Sequence, residues 1–558
     1  MDIDHRQLDA IRSNQGEIEN HLVDELVAGR LSRREFLRRG TVVGLGLPVL
    51  GSILAACGSS SSSGGSGASG GSGGGSGATI RVGIVTPTAS INPLTVADQG
   101  GLDMLGQTGE YLCLSGQTLN LSPVLASSWK ADSSGTVWTF NIRQGVKFSD
   151  GTPLTADDVI YTFKLQCDTK SASNALSAFK GVLVPDGVVK VSDFTVSFHL
   201  EAPNGNFPYL CSSDNYNMII LPKGYDPTKW ESSFIGTGPF VKTSYTPKIG
   251  AAFKRNPNYW GTKAIPANTQ FTFYATQTPA VLALQAGSID VVGQFSVQGG
   301  EALLNGGYNI INLKSSAHRQ LSMRCDQKPF SDPRVRQAIA LTLPRPEIVQ
   351  SLFKGYAVVG NDSPFAPVFP STDPSVPQRV QDLTKAKQLL SDAGYPNGFS
   401  THLVTEQFLE IPLYAQIVKE SAAKIGVNID LTIESSSQYY GKAVYGQSDW
   451  LDATMSLVDY GHRSVPNVFL TAPLESTGTW NAAHFKNPAY DSLVKEYVAA
   501  VDLTSQLKIA GQIQSLLLNE TPIIFSYFYN YLTATAKNVS GAFPTAIGHI
   551  FVNGANKA

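Results

Sequence analysis

The chain carries few residue sets that could do chemistry on a substrate. Outside the glycine-serine stretch of residues 58–78 there is no Gly-x-Ser-x-Gly, and there is no His-Glu-x-x-His anywhere, so neither a nucleophile elbow nor a zinc protease helix is spelled out. Asp157-Asp158 is a carboxylate pair, but at a helix start such a pair compensates the dipole. Gly236-Thr237-Gly238-Pro239-Phe240 lacks the Lys-Ser/Thr and the helix that a phosphate cradle needs. The eight histidines are scattered, with His462 and His484 alone near the aromatic segments below, and no Cys-x-x-Cys suggests zinc. Two histidines could join a metal chelate, although surface histidines are the plainer reading. The remaining sets suit binding. They are Asp459-Tyr460 followed by Arg463, Trp480-Asn481, and Tyr439-Tyr440. Aromatics on loops make rigid contacts at a cleft, and the two charges can meet charged ends of a solute.

These residues must be held by a large scaffold. At 558 residues the chain is too long for one ordinary core, so two or more lobes are expected. Apolar residues make up 42% and charged residues 15%, which is globular rather than disordered. The formal charge of -2 and the lack of a basic stripe exclude a nucleic-acid partner.

The first 57 residues read as an export leader. Ser32-Arg33-Arg34-Glu35-Phe36-Leu37 fits a twin-arginine signal, Thr41–Ala56 is weakly apolar, and Leu54-Ala55-Ala56-Cys57 resembles a bacterial lipobox. Such processing cleaves before the cysteine and puts diacylglycerol on its sulfur, since the thiolate is the nucleophile. The alternative is a small-residue cleavage site that happens to include a cysteine. Residues 58–78 are almost pure Gly and Ser, a flexible coil reaching about 25 Å from the membrane. Cys113, Cys167, Cys211 and Cys325 remain beyond the leader. Outside the cytoplasm they can pair in three ways, of which Cys167–Cys211 is preferred.

Further along, Thr79–Pro87 alternates as a strand, and a short helix is expected over Gly106–Leu112. Val137 to Ile142 alternates with Trp138, Phe140 and Ile142 on one face. Turns at Gln144-Gly145 and Asp150-Gly151 lead to a helix capped at Thr155. Beyond Arg319 come a strand at Gln320–Cys325 and helices at Lys385–Ala393 and Pro412–Ile425. A strand at Val427–Ile433 and helices at Asn487–Val501 and Thr504–Asn519 follow. Helices between strands suggest an α/β lobe with a partly parallel sheet.

Gly135 to Val159, Gly236-Thr237-Gly238-Pro239-Phe240 with Lys254-Arg255-Asn256-Pro257-Asn258-Tyr259-Trp260, and Ala283 to Val291 together resemble a family signature. It is that of the peptide/nickel-type (family 5) extracellular solute-binding proteins of ABC importers. Glu110-Tyr111-Leu112 and Pro329 to Ile339 resemble the same family. The likeness spans nearly all of residues 79–540. It implies a two-lobed α/β fold with an extra subdomain and a crossing-strand hinge, the solute being enclosed between the lobes. The implied domains are a leader over 1–57 and a linker over 58–78. Lobe I would take 79–115, 235–318 and 533–558, its extra subdomain 116–234, and lobe II 319–532.

In peptide-binding members a strand ends in a motif whose first Asp holds the peptide α-ammonium, and Asp459 falls on that position. Tyr460 would pack over the solute backbone. Leu457 stands where the motif has Trp, and His462-Arg463 replaces its second Asp-Pro. Arg463 is left either to pair with Asp459 or to meet a solute carboxylate. A loop carboxylate facing water is the plain alternative for Asp459.

The expectation is therefore a monomeric, extracytoplasmic, lipid-anchored receptor without cofactor or catalysis. It would deliver a short peptide to the membrane subunits of an ABC permease. Alternative solutes are a nickel chelate, polyamine, opine or oligosaccharide, and alternative classes are a secreted lipoprotein hydrolase or a surface sensor or adhesin.

Overall fold

The structure is a computed structural model describing residues 78–442 and 444–558. Arg33, Arg34, Cys57 and residues 58–77 of the linker lie outside the described residues.

Two seven-stranded sheets organise the chain. In the first, Thr79–Val85 lies at the centre, parallel to Asn268–Tyr274 on one side and to Val291–Phe295 on the other. Gly250–Arg255 and Phe240–Thr246 extend one edge, Tyr531–Thr535 and Asn309–Leu313 the other, all antiparallel to their neighbours. In the second sheet His318–Met323 pairs antiparallel with Met455–Tyr460, which runs parallel to Phe399–Glu406, itself parallel to Val427–Glu434. The helix Ile411–Ala423 is the crossover between the last two strands, as a parallel pair requires. Its Tyr414, Ala415 and Val418 pack into one apolar cluster with Leu403 and Leu457 of the strands.

A third, four-stranded sheet contains the Trp138 hairpin. Its strand Val137–Ile142 buries Trp138, Phe140 and Ile142 and leaves Val137, Thr139 and Asn141 toward solvent, the alternation of a half-covered strand. The next helix, Ala156–Cys167, is closed at its start by Asp158. That carboxylate accepts from the Thr155 backbone N–H at 2.8 Å and from the Thr155 hydroxyl at 3.1 Å.

Two expectations need correction. The helix placed at Gly106–Leu112 runs instead over Gln99–Thr108, because Asp98 caps it by accepting from the Gly101 N–H at 3.0 Å. Cys167 and Cys211 are not bridged. Cys113, Cys167, Cys211 and Cys325 are all free thiols, the first three buried.

The chain passes between the two large sheets at adjacent places. It leaves the first at Leu313 and enters the second at His318, then leaves the second at Tyr529 and re-enters the first at Tyr531. The crossings are bonded to each other: the Tyr529 N–H donates to the Ala317 carbonyl at 2.9 Å, and the Ser315 hydroxyl to the Tyr529 carbonyl at 2.5 Å. Among the described residues no helix is long and apolar enough to cross a membrane.

Candidate functional site

The site begins at these crossings with a buried guanidinium. Arg319, on the strand His318–Met323, has 1% of its side chain exposed. Its cross-strand register partner is Asp459, near the end of Met455–Tyr460. The guanidinium pairs with Asp459 through Nη1, and donates to Glu410 through Nε at 2.9 Å and Nη2 at 3.2 Å. Glu410 stands at the cap of the crossover helix, which brings it over the strand ends. The Tyr529 ring lies under the guanidinium at 4.4 Å, and its hydroxyl donates to Asp459 at 3.3 Å. The Tyr527 hydroxyl donates to Glu410 at 3.1 Å.

Charge decides what this cluster can bind. Desolvation opposes the Arg319 charge, but Asp459 and Glu410 outweigh it and hold the guanidinium protonated. Burial pushes the Asp459 carboxyl above the ordinary aspartate range; Arg319 opposes this and Glu410 adds to it. With both carboxylates ionised, one guanidinium leaves one negative charge over. Of the three charged side chains Asp459 is the open one, with 28% exposed against 1% for Arg319 and 3% for Glu410. An ammonium arriving at Asp459 would complete the neutralisation of a largely desolvated set.

The residue that pairs with Asp459 is thus Arg319 and not Arg463. Arg463 is four positions along; its backbone N–H donates to the Ser316 hydroxyl at 2.9 Å and its Nη1 to the His462 carbonyl at 2.8 Å. Its side chain lines a cavity of about 390 Å³ between residues 174–217 and residues 463–480, shared with Lys180, Asn215 and Trp480. Tyr531, beside the second crossing, feels the charges of both Asp459 and Arg463, so the two lie on one neighbourhood. The wall of the cavity is fixed by Asp214, which accepts from the Ser464 N–H at 2.9 Å and its hydroxyl at 2.8 Å. Ser464 also meets the Ser115 hydroxyl at 2.7 Å.

The aromatic candidates separate into roles. Trp480 is 37% exposed on the cavity wall, its ring edge-on to Tyr460 at 6.2 Å. Tyr460 is itself buried, stacked on His318 at 5.6 Å. Tyr440 supports Asp459: the Asp459 N–H donates to its hydroxyl at 3.2 Å, and that hydroxyl donates to Glu406 at 2.8 Å. Tyr439 lies wholly inside a core cluster, its hydroxyl donating to the Leu457 carbonyl at 3.0 Å, with no surface left for a solute in this conformation. Asn481 is likewise internal. Its amide donates to the Glu475 and Phe485 carbonyls at 3.0 and 2.7 Å and staples its loop.

His462 is buried, accepts from the Ser316 N–H at 3.0 Å through Nδ1, and is pushed down to about 3 by burial. Its Nδ1 lone pair is occupied. Among the described residues no group of three or more His, Cys, Asp or Glu is placed to hold a metal ion.

Residues 120–481 match the family described as bacterial extracellular solute-binding proteins, family 5. The chain belongs to that family. Among curated relatives of this solute-binding protein is the oligopeptide-binding protein AppA of Bacillus subtilis, 26% identical over 523 residues, covering 89% of this chain and 94% of that protein. Another is the heme-binding protein A of Haemophilus influenzae, 26% identical over 435 residues, covering 73% and 78%. Among solved structures, HbpA2 from Haemophilus parasuis superposes with a TM-score of 0.76 at 23% identity, over 86% of this chain and all of that one. The fold is accordingly the two-lobed α/β fold of family 5 periplasmic binding proteins.

Proposed function

We propose that this solute-binding protein captures a small amine-bearing solute, a short peptide first of all, outside the cytoplasm. It then hands the solute unaltered to an ABC import permease. The observation that carries the reading is the charge count at Arg319. Two carboxylates share one guanidinium, and the more open carboxylate, Asp459, is held by Tyr440 and Tyr529 at the crossing between the sheets. The excess negative charge suits an ammonium. Arg463 and Lys180 on the neighbouring cavity suit the carboxylate end of the same solute. Relatives whose names state peptide binding, AppA and the dipeptide-binding protein DppE of Bacillus subtilis, support the same class. Cys57 as a lipidated anchor and Arg33-Arg34 as an export signal complete the proposal, from the sequence alone.

The test is a calorimetric titration of the wild type and Asp459→Asn with pooled di- and tripeptides. Asn keeps the shape and removes the excess charge. Binding should weaken by about 3 kcal/mol, roughly 100-fold. Equal affinity of the two proteins would reject Asp459 as the anchor.

A further inference from the structure

A second cavity, of about 490 Å³, has none of the residues of the Asp459 and Arg463 site on its wall. It is lined by Glu110, just after the helix Gln99–Thr108, by Tyr259 and Trp260 in the loop after Gly250–Arg255, and by Phe543 and Phe551 near the C-terminus. Glu110 is buried, with 9% of the residue exposed. Tyr259 Oη donates to one of its oxygens at 2.9 Å, and Trp260 Nε1 to the other at 2.8 Å. Both donors are neutral.

Several other buried carboxylates of this chain are paired with cations, whereas Asp103, Asp158, Asp214 and Glu406 are held, like Glu110, by neutral donors. Asp290 takes Arg81 and Lys557, Asp362 takes Arg345 and Arg379, and Glu410 takes Arg319. Among the described residues Glu110 forms no such pair. Arg143 acts on it only through space, being stacked over the Trp260 ring at 4.6 Å with its Nε given to the Val124 carbonyl at 2.8 Å. Burial lifts the Glu110 carboxyl to about 7, against the pull of Trp260 and Tyr259. A buried carboxylate that is held by neutral donors, reached by Arg143 only through space and set on the wall of an aromatic-lined cavity suits a cation.

The kind of cation follows from the walls. Aromatic faces attract a cation through the ring quadrupole, while glycine, proline and aliphatic surface cannot replace the water of a small inorganic ion. Methyl groups on nitrogen fit such walls and spread the charge over them. We propose that this cavity is a second binding site, for a methylated ammonium compound, with Glu110 as the counter-ion and Trp260, Tyr259, Phe543 and Phe551 as the cage. It is independent of the reading of Asp459.

The test uses the full chain and two probes of one shape, choline and its uncharged isostere 3,3-dimethyl-1-butanol, in calorimetric titrations. Choline should bind saturably, at least about 10-fold more tightly than the alcohol. Glu110→Gln can still accept from Trp260 and donate to the Tyr259 oxygen, so it keeps the local bonds and loses the charge. It should weaken choline by at least about 10-fold. Trp260→Leu and Phe543→Leu, each checked for folding by circular dichroism, should also weaken it. Absence of saturable choline binding overturns the site. So does equal affinity for the alcohol, or choline affinity unchanged in the folded variants.

Discussion

Arg319 shows how one side chain can decide what its neighbours are able to bind. Without it, Asp459 and Glu410 would be two carboxylates facing each other with little water. Replacing Arg319 with Met should therefore cost about 3–5 kcal/mol of stability at neutral pH, as removal of one member of a buried ion pair does. Urea unfolding measures this, and a loss under about 1 kcal/mol would mean that the triad is not desolvated. The sequence pointed to Asp459 through its motif. It hid Arg319 and Glu410, which lie 140 and 91 residues away along the chain from their partners. Only the register of two antiparallel strands sets Arg319 opposite Asp459. Tyr439 and Tyr440 illustrate the same limit. The two adjacent tyrosines look equivalent in sequence, yet one is core and the other props the Asp459 backbone.

At the scale of elements, strict alternation was readable and glycine-rich helix was not. Trp138, Phe140 and Ile142 announce their strand because every second residue is large and apolar. The helix Gln99–Thr108 contains Gly100, Gly101 and Gly106, which argue locally against helix, and most of it is buried so no polar stripe marks it. Its one legible signal was the Asp98 cap. Close approach also governs how the four-stranded-sheet region meets the helices Pro488–Ala499 and Leu503–Glu520. The Gly205 N–H donates to the Val498 carbonyl at 2.9 Å, and a Cβ at Gly205 would stand 1.9 Å from the Ala500 carbonyl oxygen. Because that neighbour is backbone, Gly205→Ala should cost about 1–3 kcal/mol and loosen this seam. Faster hydrogen exchange of the position-205 amide would show it, and unchanged protection would contradict it.

Over the described part of the molecule, two sheets are joined by two adjacent crossings, with the charged cluster beside them. On the proposed reading that placement would link capture to closure, since a solute held at Asp459 and Arg463 would touch the segments that pass between the sheets. Glu110, Tyr259 and Trp260, far apart in sequence and outside the strands, are joined by hydrogen bonds on the wall of the second cavity. Where the protein sits is a separate matter, resting on Cys57. Cys57→Ser should move the protein from the membrane fraction to the soluble one, and retention in the membrane would remove the lipid anchor from the account.

The most direct test of the central claim offers the full chain one tripeptide pool with free amino termini and the same pool N-acetylated, and reads retained peptides by mass spectrometry. The account predicts that free-amine members are retained by the wild type and lost by Asp459→Asn, while acetylated members pass through. Equal retention of both pools, or retention of neither, would contradict it.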